Sequence, residues 1–89
     1  MGEVTRVLLE IAVSSAEEAA LAVACGADRL ELSCALELGG LTPSIGLMRE
    51  ARAAVPVPVW PLVRPRPGGF AYSRAELATM CADAEALLA

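Results

Sequence analysis

The 89 residues suffice for one small domain, with a formal net charge of −4 and acidic and basic residues scattered along the chain. This distribution excludes the basic stripe of a nucleic-acid-binding surface. Apolar residues make up 56% of the sequence and only three residues are aromatic, so a core of Ala, Leu and Val is expected and intrinsic disorder is excluded.

The first predicted unit is a strand followed by a helix. Arg6–Ile11 is a near-continuous apolar run, typical of a strand that is covered on both faces. Ser15 and Glu18 have the spacing of a capping box, which predicts the start of a helix. Gly26 is the usual residue at a helix C-terminus, so the helix is predicted to end there.

The second unit repeats this order. Arg29–Ser33 is predicted as a strand, and a loop containing Gly39 and Gly40 follows it. Thr42 and Pro43 are predicted as the N-cap and first residue of the next helix, because proline is favoured at the first helical position. Pro56 is predicted to end that helix.

The third unit begins with the predicted strand Val57–Val63, in which Pro58 and Pro61 each remove a hydrogen-bond donor. Ser73 and Glu76 form a second capping box, which predicts another helix start. The apolar face predicted for this helix consists of Leu77, Met80, Cys81, Ala84, Leu87 and Leu88.

Strands that alternate with helices predict a parallel sheet joined by right-handed crossovers, the α/β organisation of a (β/α) TIM barrel. A complete barrel takes about 250 residues and eight units, so this chain is expected to contain about the first three βα units. Three parallel strands leave two open edges. The pattern therefore predicts a piece of a longer barrel.

Two carboxylates are candidates for acid/base catalysis. Glu10 and Glu31 are expected near the C-terminal ends of adjacent strands, where the barrel mouth binds ligands, and within reach of Arg64. A pair of carboxylates beside a guanidinium could supply an acid and a base for proton transfer. The alternative is a cluster of charged side chains that pair only with one another inside the barrel and bind no ligand.

The loop after the third strand is a candidate anion site. Arg64 and Arg66 could hold an anion with two guanidiniums, while Gly68 and Gly69 allow the backbone to approach. Ser73 begins the next helix, whose free N–H groups could add donors. The alternative is a rigid Pro/Gly turn whose arginines pair with Glu10, with Glu31 or with solvent.

Cys25, Cys34 and Cys81 are odd in number and follow no C-x-x-C spacing, so reduced thiols are expected rather than disulfides. Cys34, just past the second strand, is the candidate metal ligand or nucleophile, whereas the other two are expected to pack in the core. The acidic N-terminus, residues 1–3, lacks the basic region of a signal peptide, so a cytoplasmic protein is expected.

Five segments resemble the N-terminal third of CutC copper-homeostasis proteins. The resemblance implies a TIM-barrel-like fold over residues 1–89 as the N-terminal part of the barrel domain, a cytoplasmic setting, a link to copper, and a longer parent chain. Segments that carry it are Leu9–Ile11, Gly26–Leu32, Gly39–Ser44, Arg64–Arg66 and Gly68–Ser73.

The resemblance also suggests where copper would bind. The family pattern has cysteine where this chain has Ala12, and Cys-Ser where it has Ser33-Cys34. Cys34 is therefore the candidate ligand for Cu(I), an ion that thiolates favour.

Two functions are open from the sequence. The first is a copper-binding or copper-handling protein, and the alternative is a TIM-barrel enzyme acting on a small, for example phosphorylated, anionic metabolite. The expected partner is accordingly a metal ion or a small anion, with no nucleic acid and no membrane. Assembly into a homo-oligomer is left open.

Overall fold

The computed structural model describes residues 6–89 as three strands that alternate with three α-helices. Residues 1–3, on which the signal-peptide prediction rests, lie outside the described residues. The elements are β1 Glu10–Val13, α1 Ala16–Ala24, β2 Arg29–Leu32, α2 Ile45–Ala54, β3 Val59–Pro61 and α3 Arg74–Leu88, with a short 3-10 helix at Leu36–Leu38 between β2 and α2.

The sheet has the order β1-β2-β3, and both strand pairs are parallel. Successive strands lie side by side without a reversal of direction along the sheet, and the neighbouring helices pack on one another. Right-handed crossovers between adjacent strands place all the helices on the same face. The chain is therefore α/β, with three consecutive units of a (β/α) barrel, as the sequence predicts.

The two faces of the sheet differ because side chains alternate along each strand. Leu30 and Leu32 are fully buried on the helix-covered face, together with Val13 and Val59. This face packs on small and flexible side chains of the helices: Ala19 and Ala22 of α1, Met48 and Ala51 of α2, and Leu87 of α3. The core is thus built of Ala, Leu and Val with Met48, as the composition predicts.

The opposite face is free of these helices. Ala12, Glu31 and Trp60 lie next to one another there, since the register pairs Ala12 with Glu31 and Glu31 with Trp60. Trp60 is 52% exposed, although it is the largest side chain of the protein. In a closed (β/α) barrel the face without helices forms the interior.

The helix starts follow local hydrogen bonding. The Ser15 hydroxyl accepts the Glu18 N–H, and the Glu18 carboxylate turns to Ser14 rather than to the Ser15 N–H, so only half of the first capping box forms. The prediction that Thr42 is the N-cap of α2 is wrong. Ser44 caps α2 instead, because its hydroxyl accepts the Leu47 N–H while the Thr42 hydroxyl accepts the Arg64 N–H.

The first strand begins later than predicted, at Glu10 rather than Arg6. Arg6 forms an ion pair with Asp28, whose carboxylate also accepts the Leu9 N–H and so holds the segment before the strand. These contacts, first the Leu9 N–H and then Arg6, lower the pKa of Asp28. An apolar run alone could not reveal this anchoring.

The third strand is confirmed but is reduced to Val59–Pro61. The Pro58 carbonyl accepts the Leu30 N–H and the Leu62 N–H bonds to the Leu32 carbonyl, so alternate peptide groups, at 58, 60 and 62, face β2. The nitrogen of Pro61 therefore points away from β2, and no bond of the β2–β3 ladder is lost there. Proline is tolerated because β3 is an edge strand.

The expected packing of α3 and of two cysteines is wrong. Of the predicted apolar face, Leu87 is buried, but Leu77 and Leu88 are about half exposed. Cys25 and Cys81 are also exposed free thiols. The helix packs mainly on α2 and β3, so half of its predicted apolar face (Leu77, Cys81 and Leu88) is exposed.

Candidate functional site

The loops at the C-terminal ends of β2 and β3 form the candidate site, which we call the strand-end site (residues 33–42 and 62–73). Cys34 and Leu41 exchange backbone hydrogen bonds of 3.0 and 2.8 Å, so the first loop is closed as a small antiparallel bridge. Gly39 and Gly40 have φ of +88° and +92°, which L side chains rarely adopt. The glycines allow the loop to fold back against β3.

Arg64 joins the two loops. One terminal nitrogen, Nη1, donates to the carbonyls of Leu38 at 2.9 Å and Gly40 at 3.1 Å, and Nη2 donates to the carbonyl of Gly68 at 3.0 Å. The guanidinium carbon lies 5.2 Å from the centre of the Phe70 ring, within cation–π distance. Its buried Nε has no partner among the described residues.

Thr42 connects this arginine to the cysteine of the site. The Arg64 N–H donates to the Thr42 hydroxyl at 2.8 Å, and the Thr42 N–H donates to the Arg64 carbonyl at 3.1 Å. The carbonyl of Thr42 accepts the Cys34 thiol at 3.2 Å. The position of the Cys34 thiol is therefore tied to β3 through Thr42 and Arg64.

Cys34 and Ser33 occupy different environments. Ser33 is 2% exposed and continues the alternation that places Glu31 on the helix-free face. Its Oγ would lie 3.4 Å from a Cβ at Gly40, under the first loop. Cys34 is only partly buried and its thiol is turned to Thr42. The Ser33-Cys34 order thus puts a hydroxyl, not a thiol, beside the inner face.

Arg66 contacts the second loop and the start of α3. Its guanidinium donates to the Gly69 carbonyl at 3.0 Å and the Ala71 carbonyl at 2.8 Å, and it forms an ion pair with Glu76. Its guanidinium carbon also lies 5.0 Å from the centre of the Tyr72 ring. The Ser73–Glu76 capping box is confirmed, since each side chain accepts the backbone N–H of the other residue.

These contacts make the start of α3 sensitive to acid. Arg66, followed by the Ser73 N–H, lowers the pKa of Glu76 from 4.5 to about 2. A carboxylate whose pKa is lower in the folded state stabilises the fold fully above its unfolded pKa. That contribution is lost as the pH falls from 4.5 toward about 2.

We therefore expect Glu76→Gln to flatten the pH dependence of unfolding between pH 4.5 and 2, because glutamine keeps the capping geometry without the titration. Urea denaturation at several pH values measures the slope in both proteins. Glu50→Gln, on the exposed surface of α2, is the matched control and should retain the wild-type slope. An unchanged slope in Glu76→Gln would contradict the assignment.

The two candidate acid/base residues are placed differently from each other. Glu31 lies on the helix-free face near the end of β2, as predicted. Glu10 shares that face, but the prediction that it lies near the C-terminal end of its strand is wrong, because β1 begins at Glu10. It forms an ion pair of 2.8 Å with Arg29, at the opposite end from Arg64. Their catalytic role stays a prediction.

The predicted anion-binding residues do come together, but the terminal guanidinium nitrogens of Arg64 and Arg66 already donate to backbone carbonyls. The guanidiniums of Arg64 and Arg66 bond to carbonyls, and the acceptors include those of Gly68 and Gly69. Ser73 caps α3. Anion binding by this set stays a prediction, and the geometry describes a clamp that fastens two loops.

Sequence reasoning missed Thr42 and the two aromatic rings as parts of the site. The sequence pattern predicts a helix cap at Thr42 and no functional role for Phe70 or Tyr72. The spacing Arg64–Phe70 and Arg66–Tyr72 repeats at six residues and could have indicated the two stacking pairs. Which residues contact one another across the two loops depends on the tertiary structure.

Within the described residues, no group of three or more His, Cys, Asp and Glu side chains could hold a metal ion. A metal at Cys34 would need ligands beyond this set. None of the helices within residues 6–89 is long and apolar enough to cross a membrane.

Comparison with known proteins identifies relatives of this chain. A family protein CutC of Caulobacter vibrioides is 50% identical over 82 residues, and one of Rhizobium meliloti is 51% identical over 82 residues. Each match covers 92% of this chain but 33% of the relative. The chain therefore spans about a third of the length of the curated relatives it matches.

A solved structure has the same fold. The crystal structure of a CutC protein from Streptococcus agalactiae, whose name links it to copper homeostasis, is 31% identical with a TM-score of 0.77. The match covers 92% of this chain and 42% of that one. The sequence model of the CutC family matches residues 7–88, almost the entire chain. On this evidence, the chain belongs to the CutC family.

Proposed function

We propose that this protein handles Cu(I) in copper homeostasis, in the cytoplasm, with Cys34 as its thiolate ligand. The observation that carries the proposal is the position of Cys34, a partly buried free thiol at the C-terminal end of β2. Ligands of (β/α) barrels bind at the C-terminal strand ends. The family relationship and the copper-homeostasis name of the Streptococcus agalactiae protein support the choice of metal.

The chemistry of the thiol suits this ion. Soft thiolate ligands favour Cu(I), and the other two thiols are exposed away from the C-terminal strand ends, Cys25 in the turn after α1 and Cys81 on α3. Binding would exchange the S–H of Cys34 for an S–Cu bond and release one proton, so it should strengthen as the pH rises. The thiol would also leave its hydrogen bond to the Thr42 carbonyl.

One thiolate does not complete a copper site. Ala12 stands on the inner face where the family pattern has a cysteine, and Ser33 lies beside that face with a hydroxyl. Further ligands would come from residues beyond the matched third of the family, or from a second protein that delivers or receives the ion. This arrangement suits a transfer site better than a storage site.

The test is a Cu(I) titration of the full chain against a chromogenic Cu(I) chelator under reducing conditions without oxygen. We expect Cys34→Ser to lower the Cu(I) affinity at least tenfold, because the variant loses the thiolate. Cys25→Ser and Cys81→Ser are the matched controls and should bind as the wild type does. Absence of binding by the wild type, or equal losses in all three variants, would refute the proposal.

A further inference from the structure

A chain of hydrogen bonds joins the Cys34 thiol to Arg64. The guanidinium of this arginine forms the clamp, which we define as its three hydrogen bonds to the carbonyls of Leu38, Gly40 and Gly68. We propose that the thiol controls the clamp: loss of the Cys34 S–H, as on binding Cu(I), releases the loops that the clamp fastens. The choice of ion rests on the proposed function, whereas the link between the thiol and the clamp depends only on contacts within residues 6–89.

The first step is the hydrogen bond of the thiol. Cys34 is partly buried, and its S–H donates to the Thr42 carbonyl at 3.2 Å. No other residue among 6–89 donates to that carbonyl. A sulfur that has exchanged its proton for a metal ion has nothing left to donate. Whether the sulfur stays beside the oxygen or rotates away from it, the Thr42 carbonyl loses its donor.

Thr42 carries this loss to Arg64. Its hydroxyl accepts the Arg64 N–H at 2.8 Å, and its own N–H donates to the Arg64 carbonyl at 3.1 Å. Pro43 follows Thr42, and the backbone of a residue before proline is restricted to few conformations. The Thr42 carbonyl therefore cannot turn to a new donor by itself, so a change in its position disturbs both bonds to Arg64.

The closed clamp carries an unsatisfied group of its own. The terminal nitrogens of the Arg64 guanidinium donate to three carbonyls, but its buried Nε has no partner among the described residues. A buried donor without an acceptor costs free energy, which water would return once the loops open. The clamp is thus poised, and the loss of one hydrogen bond beside it shifts the equilibrium toward the open state.

The first loop is able to move as one piece when the clamp opens. The N–H groups of Leu38 and Gly40 donate to the Ala35 carbonyl at 2.9 and 3.1 Å. These bonds lie within residues 35–40 and do not involve β3, so they persist when Arg64 withdraws. Opening therefore frees a compact segment beside the thiol and gives a second protein access to the ion.

Linkage makes the effect reciprocal. If a metal ion on the sulfur shifts the clamp toward its open state, a substitution that opens the clamp must strengthen metal binding by the same factor. Thr42→Val is such a substitution, because valine keeps the shape of threonine but cannot accept the Arg64 N–H. Thr42→Ser retains the hydroxyl and is the matched control.

The first experiment needs no metal. Amide hydrogen exchange is measured at Leu41 and Thr42, whose N–H groups close the first loop. We expect Cys34→Ala, which has no donor for the Thr42 carbonyl, to accelerate both about tenfold, and Cys34→Ser to stay within about twofold of the wild type. The Leu62 N–H bonds to a β2 carbonyl at 2.8 Å and is the internal reference, whose exchange should not change.

The second experiment adds one equivalent of Cu(I) to the full chain without oxygen. In the wild type, exchange at Leu41 and Thr42 should accelerate about tenfold, whereas Cys34→Ser should not respond. Thr42→Val should exchange fast before the ion is added and should bind Cu(I) about tenfold more tightly than the wild type. Thr42→Ser should return both readouts to the wild-type values, which a general loss of stability would not do.

Two results would overturn the link between the thiol and the clamp. One is equal exchange in Cys34→Ala and the wild type. The other is Cu(I) binding at Cys34 that leaves exchange at Leu41 and Thr42 unchanged, a result that leaves the copper function intact. Fast exchange in Cys34→Ala without any Cu(I) binding by the wild type would support the link and refute the copper function.

Discussion

Leu30→Ala is expected to destabilise the protein by about 2–5 kcal/mol, because it removes a side chain from the centre of the core and leaves a cavity. Leu30 is 0% exposed and lies on the middle strand, between Ile11 of β1 and Val59 of β3. Domains of this size are stable by only about 5–15 kcal/mol, so the substitution removes a large share of the total.

Urea denaturation followed by circular dichroism measures this loss. Leu36→Ala is the matched control, since Leu36 is the same residue type but is 50% exposed in the 3-10 helix. Surface substitutions usually stay within about 0.5 kcal/mol. If both variants shift the midpoint equally, the helix-covered face is not the core of the domain.

Arg64→Ala is expected to release the strand-end site. The substitution removes three hydrogen bonds from a charged donor to the carbonyls of Leu38, Gly40 and Gly68, and with them the contact with Phe70. Hydrogen bonds to charged groups contribute about 1.5–3 kcal/mol each in favourable cases. Because the three bonds share one guanidinium and are not additive, we expect a local loss of about 2–4 kcal/mol.

The stability lost in Arg64→Ala should appear as opening of the loops more than as global unfolding. Amide exchange at Leu41 and Thr42, whose N–H groups bond to Cys34 and Arg64, should accelerate by about 30-fold or more, the equivalent of 2 kcal/mol. Alkylation of the Cys34 thiol in metal-free protein should accelerate as well, because its Thr42 acceptor is no longer held.

Matched variants separate the clamp from a general effect of charge. Arg49→Ala removes a guanidinium from the exposed surface of α2 and should leave both rates unchanged. Arg64→Lys should restore only part of the protection, since one ammonium group cannot span both loops as the planar guanidinium does. Protection of Leu41 that persists in Arg64→Ala would contradict the clamp.

The residue types of the loop after β3 suit both an anion site and the observed clamp. Two arginines in a Pro/Gly loop before a helix start are the residue types that bind an anion. The same types also bind backbone carbonyls when a second loop lies within reach, and the loop ending at Gly40 does so here. A single sequence cannot distinguish these partners, because they come from different βα units.

Much of the fold was predictable from local signals. Ser15, Gly26, Ser73 and Pro56 marked helix limits correctly, since capping and chain stiffness act over three or four residues. The α/β organisation and the family followed from the order of elements and from the motifs. Strand limits were less accurate, because an apolar run does not show where pairing begins.

The sequence by itself determined the parallel (β/α) organisation, the Ala-, Leu- and Val-rich core and the location of the strand-end loops, since periodicity and capping are local properties. Tertiary structure decided which partners each charged side chain contacts. Glu10 pairs with Arg29 at the start of β1 instead of joining Glu31 and Arg64, because the β1–β2 register places it there. It also decided that Arg64 holds carbonyls and that Cys34, not Ser33, turns to Thr42, because these contacts depend on how two loops meet.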